Sequence, residues 1–202
     1  RLHASAENRA GIAWNAGRGT ALGHTFMVIM AAHGQPIINL ARGKDGFIAE
    51  DASGEHLRPM FNSEAARATA EFLRELLAVS PPGILQMTWY DRARAYASGS
   101  AAMAYSHTLL ANLSELDASS PAYRRTGYLP HPTALDGRPI SPLGGYALAI
   151  PANISPERIN DVWVALCALT SASAAKLFIA NGSLASPRFS VSRDPEVAAM
   201  SP

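Results

Sequence analysis

Two adjacent aromatic residues, Trp89 and Tyr90, could hold a ligand that has apolar ring faces and surrounding hydroxyl groups. Aromatic rings stack on such faces, while polar neighbours fix the orientation of the ligand. Asp91 favours a helix start here, because a carboxylate meets unpaired backbone N–H groups in the first helical turn. Gly99 suits the left-handed residue that ends a helix. These residues predict a short helix with two aromatics at its mouth, of which one faces a cleft; either ring alone is equally consistent with a core position.

Polar residues follow this predicted helix. The small side chains of residues 101–105 favour a strand that passes close to other backbone, and Ser106 and His107 come directly after it. Aromatic and polar groups therefore converge at both ends of one small unit. A ligand cleft needs such convergence, so we expect Ser106 and His107 to contact the ligand.

Three short motifs occur in the order and spacing typical of one protein family. They are Trp89-x-Asp91 with Tyr96 and Gly-Ser-Ala-Ala-Met at 99–103, Gly-Gly-Tyr-Ala-Leu-Ala-Ile at 144–150, and Ser-Pro-Arg-Phe-Ser-Val at 186–191. From about Gly23 onward, the chain resembles the extracellular solute-binding proteins of ABC sugar importers, family 1, which are maltose-binding-protein-like. Each motif is weak alone, and the resemblance rests on all three together.

The alternation of predicted strands and helices indicates an α/β fold. The resemblance implies the bilobal, type II periplasmic-binding-protein-like fold. Residues 1–142 would form most of the second lobe, residues 143–185 a strand and helix pair of the first lobe, and residues 186–202 a hinge segment that crosses back. The family's opening third and its C-terminal end have no counterpart here, so the chain is expected to be a fragment that lacks the N-terminal part.

The resemblance also implies ligand contacts beyond the aromatic pair. These residues are His24, Gly144, Gly145 and Arg188. His24 would lie on the first turn of a helix over 24–32, and the glycine pair would let the backbone approach the ligand where the chain crosses between lobes. Arg188 would bind paired hydroxyls or a charged group. Each has a plainer alternative: a surface histidine, a turn and a solvated arginine.

The composition limits the possible partners. Hydrophobic residues make up 48% of the chain and charged residues 16%, and the net charge is +1, so nothing indicates a nucleic acid or an anionic membrane as partner. The apolar runs at 26–32 and 162–169 are far shorter than the roughly 20 residues of a membrane span. The resemblance implies a periplasmic protein that binds a sugar or polyol for uptake and works with the permease subunits of an ABC importer, without a cofactor. No signal peptide is expected within this sequence.

An enzyme is the main alternative class. The six histidines lack metal-binding spacing, and no Gly-x-Ser-x-Gly motif occurs, so we expect neither a metal site nor a catalytic nucleophile. A carbohydrate-active enzyme with paired carboxylates stays open, because carboxylates are common in any sequence. A structural interaction module without a cleft is the third possibility.

Further elements are predicted from periodicity and from capping residues. They are strands at 11–14, 37–40, 47–49, 124–129 and 145–150, helices at 63–79, 155–169 and 170–182, and an extended segment at 183–202. In the helix at 155–169 we expect Trp163 to be a core residue and Cys167, the single cysteine, to be buried.

Overall fold

The computed structural model describes residues 9–44, 46–50, 52–133, 141–142, 144, 147–183 and 186–200. Its β-strands are β1 (Ala10–Ala13), β2 (Ala41–Arg42), β3 (Phe47–Ile48) and β4 (Ala101–Ala104). Its α-helices are α1 (Thr20–Ala32), α2 (Glu64–Leu76), α3 (Trp89–Ala97), α4 (Asn112–Glu115), α5 (Ile159–Leu169), α6 (Ala172–Ala180), α7 (Phe189–Ser192) and α8 (Pro195–Met200). Short 3₁₀ helices lie at Gly54–Leu57, Leu77–Val79, Ile84–Gln86, Thr108–Leu110 and Pro156–Arg158.

A parallel pair of strands, β1 and β4, lies at the centre of the first part of the chain. Ala10 lies opposite Ala101 and Ala13 opposite Ala104, and the backbone N–H of Tyr105 extends the pairing by donating to the Ala13 carbonyl over 2.9 Å. Small side chains on both strands let α3 pack directly against them. This confirms the strand predicted after the short helix and the one predicted near Trp14.

The main hydrophobic core lies between β1, α1 and α2. Its buried members include Trp14, Ile29, Leu73 and Ile84. The indole of Trp14 also donates a hydrogen bond to the hydroxyl of Ser80 over 2.8 Å, so its polar edge is satisfied inside the core. The helix predicted over 63–79 is confirmed as α2 followed by a 3₁₀ turn.

Helix α3 begins with reciprocal capping. The Asp91 carboxylate accepts hydrogen bonds from the Thr88 backbone N–H at 2.9 Å and from the Thr88 hydroxyl at 2.8 Å. The same two bonds hold the pKa of Asp91 below its usual value, because both stabilise the ionised carboxylate. At the other end, Gly99 has a φ of 76° and ends the helix as predicted. Trp89 and Tyr90 are thus the first two residues of α3.

Two predicted strands are wrong where the structure describes them. Residues 121–125 form turns and 126–130 have no regular structure, and Arg124 has a φ of 53°, which is incompatible with an extended strand. Residues 147–150 are not a strand either, while Gly145 and Tyr146 lie outside the described residues. An alternating sequence forms a strand only where a partner edge is available, and the pattern alone does not show one.

Of the two strands predicted at 37–40 and 47–49, the second is confirmed as β3, whereas its partner β2 lies later in the chain than the first was predicted. β2 pairs with β3 in antiparallel fashion, with Ala41 opposite Ile48 and Arg42 opposite Phe47. Within the predicted strand 37–40, Ile38 instead makes an isolated bridge to Pro59.

Helices α5 and α6 form where the capping residues predict them. Ser155 and Pro156 open a 3₁₀ turn that leads into α5, and the Ser171 hydroxyl accepts a hydrogen bond from the Ala174 N–H at the start of α6. The predicted burial is wrong, since Trp163 is 59% exposed and Cys167 is exposed. Periodicity identifies an apolar face but not the element that covers it, and no described element covers this one.

No single helix of the described residues is long and apolar enough to cross a membrane. The pair Pro156–Leu169 and Ala172–Ala180, bent by 52°, reaches that length and composition only when the two are taken together.

The segment after α6 is helical rather than extended, which corrects the prediction for 183–202 in its described part. Val191 is 1% exposed and Val197 is 6% exposed, so α7 and α8 bury apolar side chains. The Lys176 ammonium group on α6 binds the carboxylates of Asp194 at 2.7 Å and Glu196 at 2.9 Å. This ion pair network raises the pKa of Lys176 and ties the segment to α6.

Candidate ligand-binding site

The carboxyl ends of β1 and β4 meet at one edge of the parallel pair, and the loop after β1 contacts Met87, two residues before α3. The Gly17 N–H donates to the Met87 carbonyl over 2.8 Å, and a Cβ on Gly17 would lie 2.9 Å from the same oxygen. Only glycine therefore permits this approach. The contact brings the N-terminal end of α3 to the carboxyl edge of the strands, which is where open α/β folds bind ligands.

Two of the predicted histidines lie near each other at this edge. His24 lies in the second turn of α1, because the helix begins at Thr20 rather than at His24 as predicted. His107 follows β4, and its Nδ1 accepts a hydrogen bond from the Leu109 N–H at 3.2 Å. That bond fixes the tautomer of His107 and leaves Nε2 as the donor.

His24 is the more constrained of the two imidazoles. Its Nδ1 is buried and has no hydrogen-bond partner among the described residues. Burial lowers the pKa of His24 most, and the electrostatic effects of Arg92 and His107 lower it further. At neutral pH the ring is therefore uncharged and can offer one donor and one acceptor to a ligand.

Gly144 approaches His107 closely. A Cβ at position 144 would lie 3.2 Å from Nε2 of His107, which is tighter than ordinary van der Waals contact. The structure thus brings together His24, His107 and Gly144 from the predicted set. Gly145, the other half of the predicted glycine pair, lies outside the described residues.

Arg92 belongs to the same cluster, although the sequence did not single it out. Its side chain is 2% exposed, and its guanidinium lies over the ring of Tyr105, 5.8 Å from the centroid. Burial lowers the pKa of Arg92 to about 10, and burial raises that of Tyr105 to about 12 against the opposing effect of Arg92. At pH 7 the arginine is a buried cation beside a neutral phenol. In the sequence, the one indication that Arg92 is buried is its position three residues before Ala95, which places both on the same face of α3.

Tyr105 also links the cluster to a third histidine. The ring of His131 meets it edge-on, with 5.1 Å between centroids. His131 Nδ1 donates to the Pro132 carbonyl over 2.7 Å, while burial lowers the pKa of this imidazole. The rings of Tyr105 and His131 thus pack together beside Arg92. Neither residue was predicted as a site residue.

The two aromatics at the start of α3 differ in exposure. Trp89 is half-buried, whereas Tyr90 is 58% exposed and its ring lies 5.9 Å from the guanidinium of Arg94. Ser106 is exposed between Tyr105 and His107. Trp89, Tyr90 and Ser106 all lie near the carboxyl edge of the strands. Their roles as ligand contacts remain predictions.

Arg188 occupies a different environment. Its Nε donates to the carbonyl of Thr170, the residue directly after α5, and its backbone N–H donates to the Ser186 hydroxyl at 3.1 Å. The side chain is exposed and stabilises the C-terminal end of α5 by satisfying a carbonyl there. Its predicted place in a cleft stays a prediction.

The side chains of this cluster, His24, Arg92 and His107, mainly offer hydrogen-bond donors. In the described part of the chain, no group of three or more His, Cys, Asp or Glu side chains is arranged to hold a metal ion. His24 also borders an apolar concavity along α1, formed with Met27, Val28, Ala31 and Pro142. The arrangement suits an oxygen-rich organic ligand that has some apolar surface.

Comparison with known proteins finds similarity in structure only. No protein-family model matches the sequence, and no curated protein does. An ABC transporter solute-binding protein from Agrobacterium radiobacter K84, in complex with ribitol, aligns with 98% of this chain and 46% of its own, with a TM-score of 0.81 and 24% identity. Maltose-bound MalE3 of T. maritima aligns with 97% of this chain and 47% of its own, with a TM-score of 0.76 and 24% identity.

The chain thus spans about half the length of the solved structures it matches. The similarity confirms the predicted periplasmic-binding-protein-like α/β fold. The chain has the fold of ABC transporter solute-binding proteins over about half of their length.

Proposed function

We propose that the chain belongs to the solute-binding component of an ABC importer and binds a sugar or polyol reversibly. The observation that carries this proposal is the convergence of His24, Arg92 and His107 at the carboxyl edge of the strands. The convergence occurs in a fold whose solved examples hold ribitol and maltose. Ribitol and maltose both carry many hydroxyl groups. A site that binds them needs hydrogen-bond donors and acceptors, and these three side chains supply both.

The cluster can bind hydroxyls without reacting with them. A neutral His24 offers one donor and one acceptor, Nε2 of His107 donates, and Arg92 supplies donors in a planar arrangement. Trp89 or Tyr90 would supply a ring face for the C–H groups of the ligand. None of these contacts requires a covalent bond to the ligand, so the ligand would be released unchanged.

The wider role follows from the resemblance and belongs to the same proposal. The protein would act outside the cytoplasm, in the periplasm, and would deliver the ligand to permease subunits. Residues 1–142 would supply one lobe, 143–185 part of the other and 186–202 a crossing. Closure of two lobes about these crossings would enclose the ligand.

A carbohydrate-active enzyme is the alternative, and the electrostatics of the cluster disfavour it. Glycoside hydrolysis uses two carboxylates that flank the bond. The charges that act on His24 come from Arg92 and His107, and the buried Glu115 accepts a hydrogen bond from the Tyr128 hydroxyl instead. Release of reducing sugar from a glycoside would favour the enzyme.

An NMR titration of the chain with ribitol and with maltose tests the proposal, because it detects millimolar as well as tighter binding. We expect saturable shifts centred on His24 and His107. His24→Ala should weaken binding about tenfold, or about 1.4 kcal/mol, which is the scale of one hydrogen bond. His56→Ala is the matched control, since His56 is exposed on the 3₁₀ turn Gly54–Leu57. Turnover of a glycoside would contradict the proposal, and so would the absence of saturable shifts with ribitol, maltose and their acid and phosphate derivatives.

A further inference from the structure

Arg92 carries a buried charge that the described residues do not neutralise. The side chain is 2% exposed, and in the described ranges no Asp or Glu forms an ion pair with it. Its Nε also has no hydrogen-bond partner among these residues. A buried cation without a partner is costly, so such groups are normally paired or coordinated.

The aromatic neighbour of Arg92 compensates only in part. A guanidinium over a tyrosine ring gains an electrostatic attraction from the ring face, but the ring carries no net negative charge. Because the Tyr105 phenol stays protonated at neutral pH, it cannot act as a counter-ion. The positive charge is therefore left for a group that is not part of the described chain.

A second unsatisfied group lies within electrostatic range of the first. Nδ1 of His24 is buried and unpartnered among the described residues, and both Arg92 and His107 act on this imidazole. These side chains come from three separate segments: α1, α3 and the residues after β4. None of the three contributes a negative charge to the space between them, whereas each can present an N–H.

We propose that the ligand of this site carries an anionic group, a carboxylate or a phosphate, which binds Arg92 beside His24 and Tyr105. This inference rests on the proposed function and specifies the class of ligand within it: a sugar acid or a sugar phosphate rather than a neutral sugar. A neutral polyol can accept a hydrogen bond from Nε of Arg92 but leaves the buried charge uncompensated. An anion accepts the hydrogen bond from Nε and also compensates the positive charge. Such charge-assisted hydrogen bonds to arginine are stronger than neutral ones.

Three ligands of one carbon skeleton test the inference: ribitol, ribonate and ribitol 5-phosphate. Binding of each to the chain is measured by NMR titration and calorimetry at constant ionic strength. We expect at least one anion to bind about tenfold or more tightly than ribitol, since a charge-assisted hydrogen bond exceeds a neutral one by about this factor. Preference for ribonate identifies a carboxylate ligand, and preference for ribitol 5-phosphate a phosphate ligand.

Arg92→Met removes the charge but keeps most of the apolar stem. The advantage of the anion over ribitol should disappear in this variant. It should persist in Arg74→Met, the matched control, because Arg74 is exposed on α2. Retention of anion selectivity by Arg92→Met would overturn the assignment of Arg92.

The wild-type chain decides the inference even if Arg92→Met fails to fold. Binding of ribitol as tight as that of both anions would overturn the anionic class while leaving the proposed function intact. Absence of binding by all three ligands, with binding of maltose, would also overturn only the anionic class. Absence of binding by all three and by maltose would instead remove the proposed function, and this inference with it. The two failures are therefore distinguishable.

Discussion

At the scale of single residues, the site depends on side chains whose charge states are set by burial. His24 loses solvation and lies near the cationic Arg92 and near His107, so its neutral form is favoured. Arg92 keeps its charge, because a pKa of about 10 still lies well above neutral pH. The site therefore combines a neutral imidazole with a permanent cation, and the two can distinguish hydroxyl oxygens from anionic oxygens.

The folded-state pKa of His24 should lie below 6.5, the usual value for histidine. The unfolded chain then binds a proton at this residue more readily than the folded chain does. His24 consequently destabilises the fold as pH falls below 6.5 toward the folded pKa, and has no such effect above 6.5. Histidine ring resonances followed by NMR against pH give the value directly.

His131 is the necessary comparison in that titration, since burial lowers its pKa as well. The His24 resonance is identified by its loss in His24→Gln. A His24 pKa at or above 6.5 would contradict the burial of Nδ1 next to Arg92 and His107.

The sequence identified some site residues and missed others for a physical reason. His24 and Gly144 were selected by resemblance to a family and His107 by its place directly after a predicted strand, and the structure brings the three together. Arg92 was missed because arginine is usually exposed, and only its position three residues before Ala95 indicates the buried face of a short helix. Burial of a cation depends on tertiary packing and is not a local property of the sequence.

At the scale of elements, local capping signals were reliable where side chains define the ends. Ser63 caps α2 by accepting from the Ala66 N–H at 3.2 Å, and Asp91 caps α3 with Thr88. The strand predicted at 124–129 failed, because strands need a neighbouring edge that the alternation cannot supply. The segment after α6 was predicted as extended because it has few apolar residues, yet Val191 and Val197 suffice to bury two short helices.

Helices α5 and α6 expose much of their apolar surface. The exposed side chains are Ile159, Trp163, Val164, Leu169, Leu177 and Phe178. Exposed apolar surface of this extent tends to be covered by another surface. In a solution of this chain alone, a second copy is the available partner, so we expect self-association through these two helices.

Sedimentation velocity at a low and a high protein concentration tests this expectation. The average mass should rise with concentration for the wild-type chain and rise less for Trp163→Gln. Leu129→Ser is the control, because Leu129 is 89% exposed but lies outside the two helices. A monomer at both concentrations would show that the exposed face is not an interface between copies.

At the scale of the whole molecule, the resemblance anticipated the fold better than the periodicity did. Three motifs predicted a periplasmic-binding-protein-like fold, and the solved structures confirm it over about half of their length. Periodicity could not identify which faces are covered, as the exposure of Trp163 shows. The division into residues 1–142, 143–185 and 186–202 stays a prediction, since lobes are defined by how the segments move relative to one another.

The central claim is that one ligand binds at the carboxyl edge of β1 and β4, between α1 and α3. A crystal structure of the chain with ribitol, or with the tightest of the three ribitol-derived ligands, tests this claim most directly. The account predicts ligand oxygens within hydrogen-bond distance of His24, Arg92 and His107. Ligand density elsewhere on the chain, with these three side chains untouched, would contradict it.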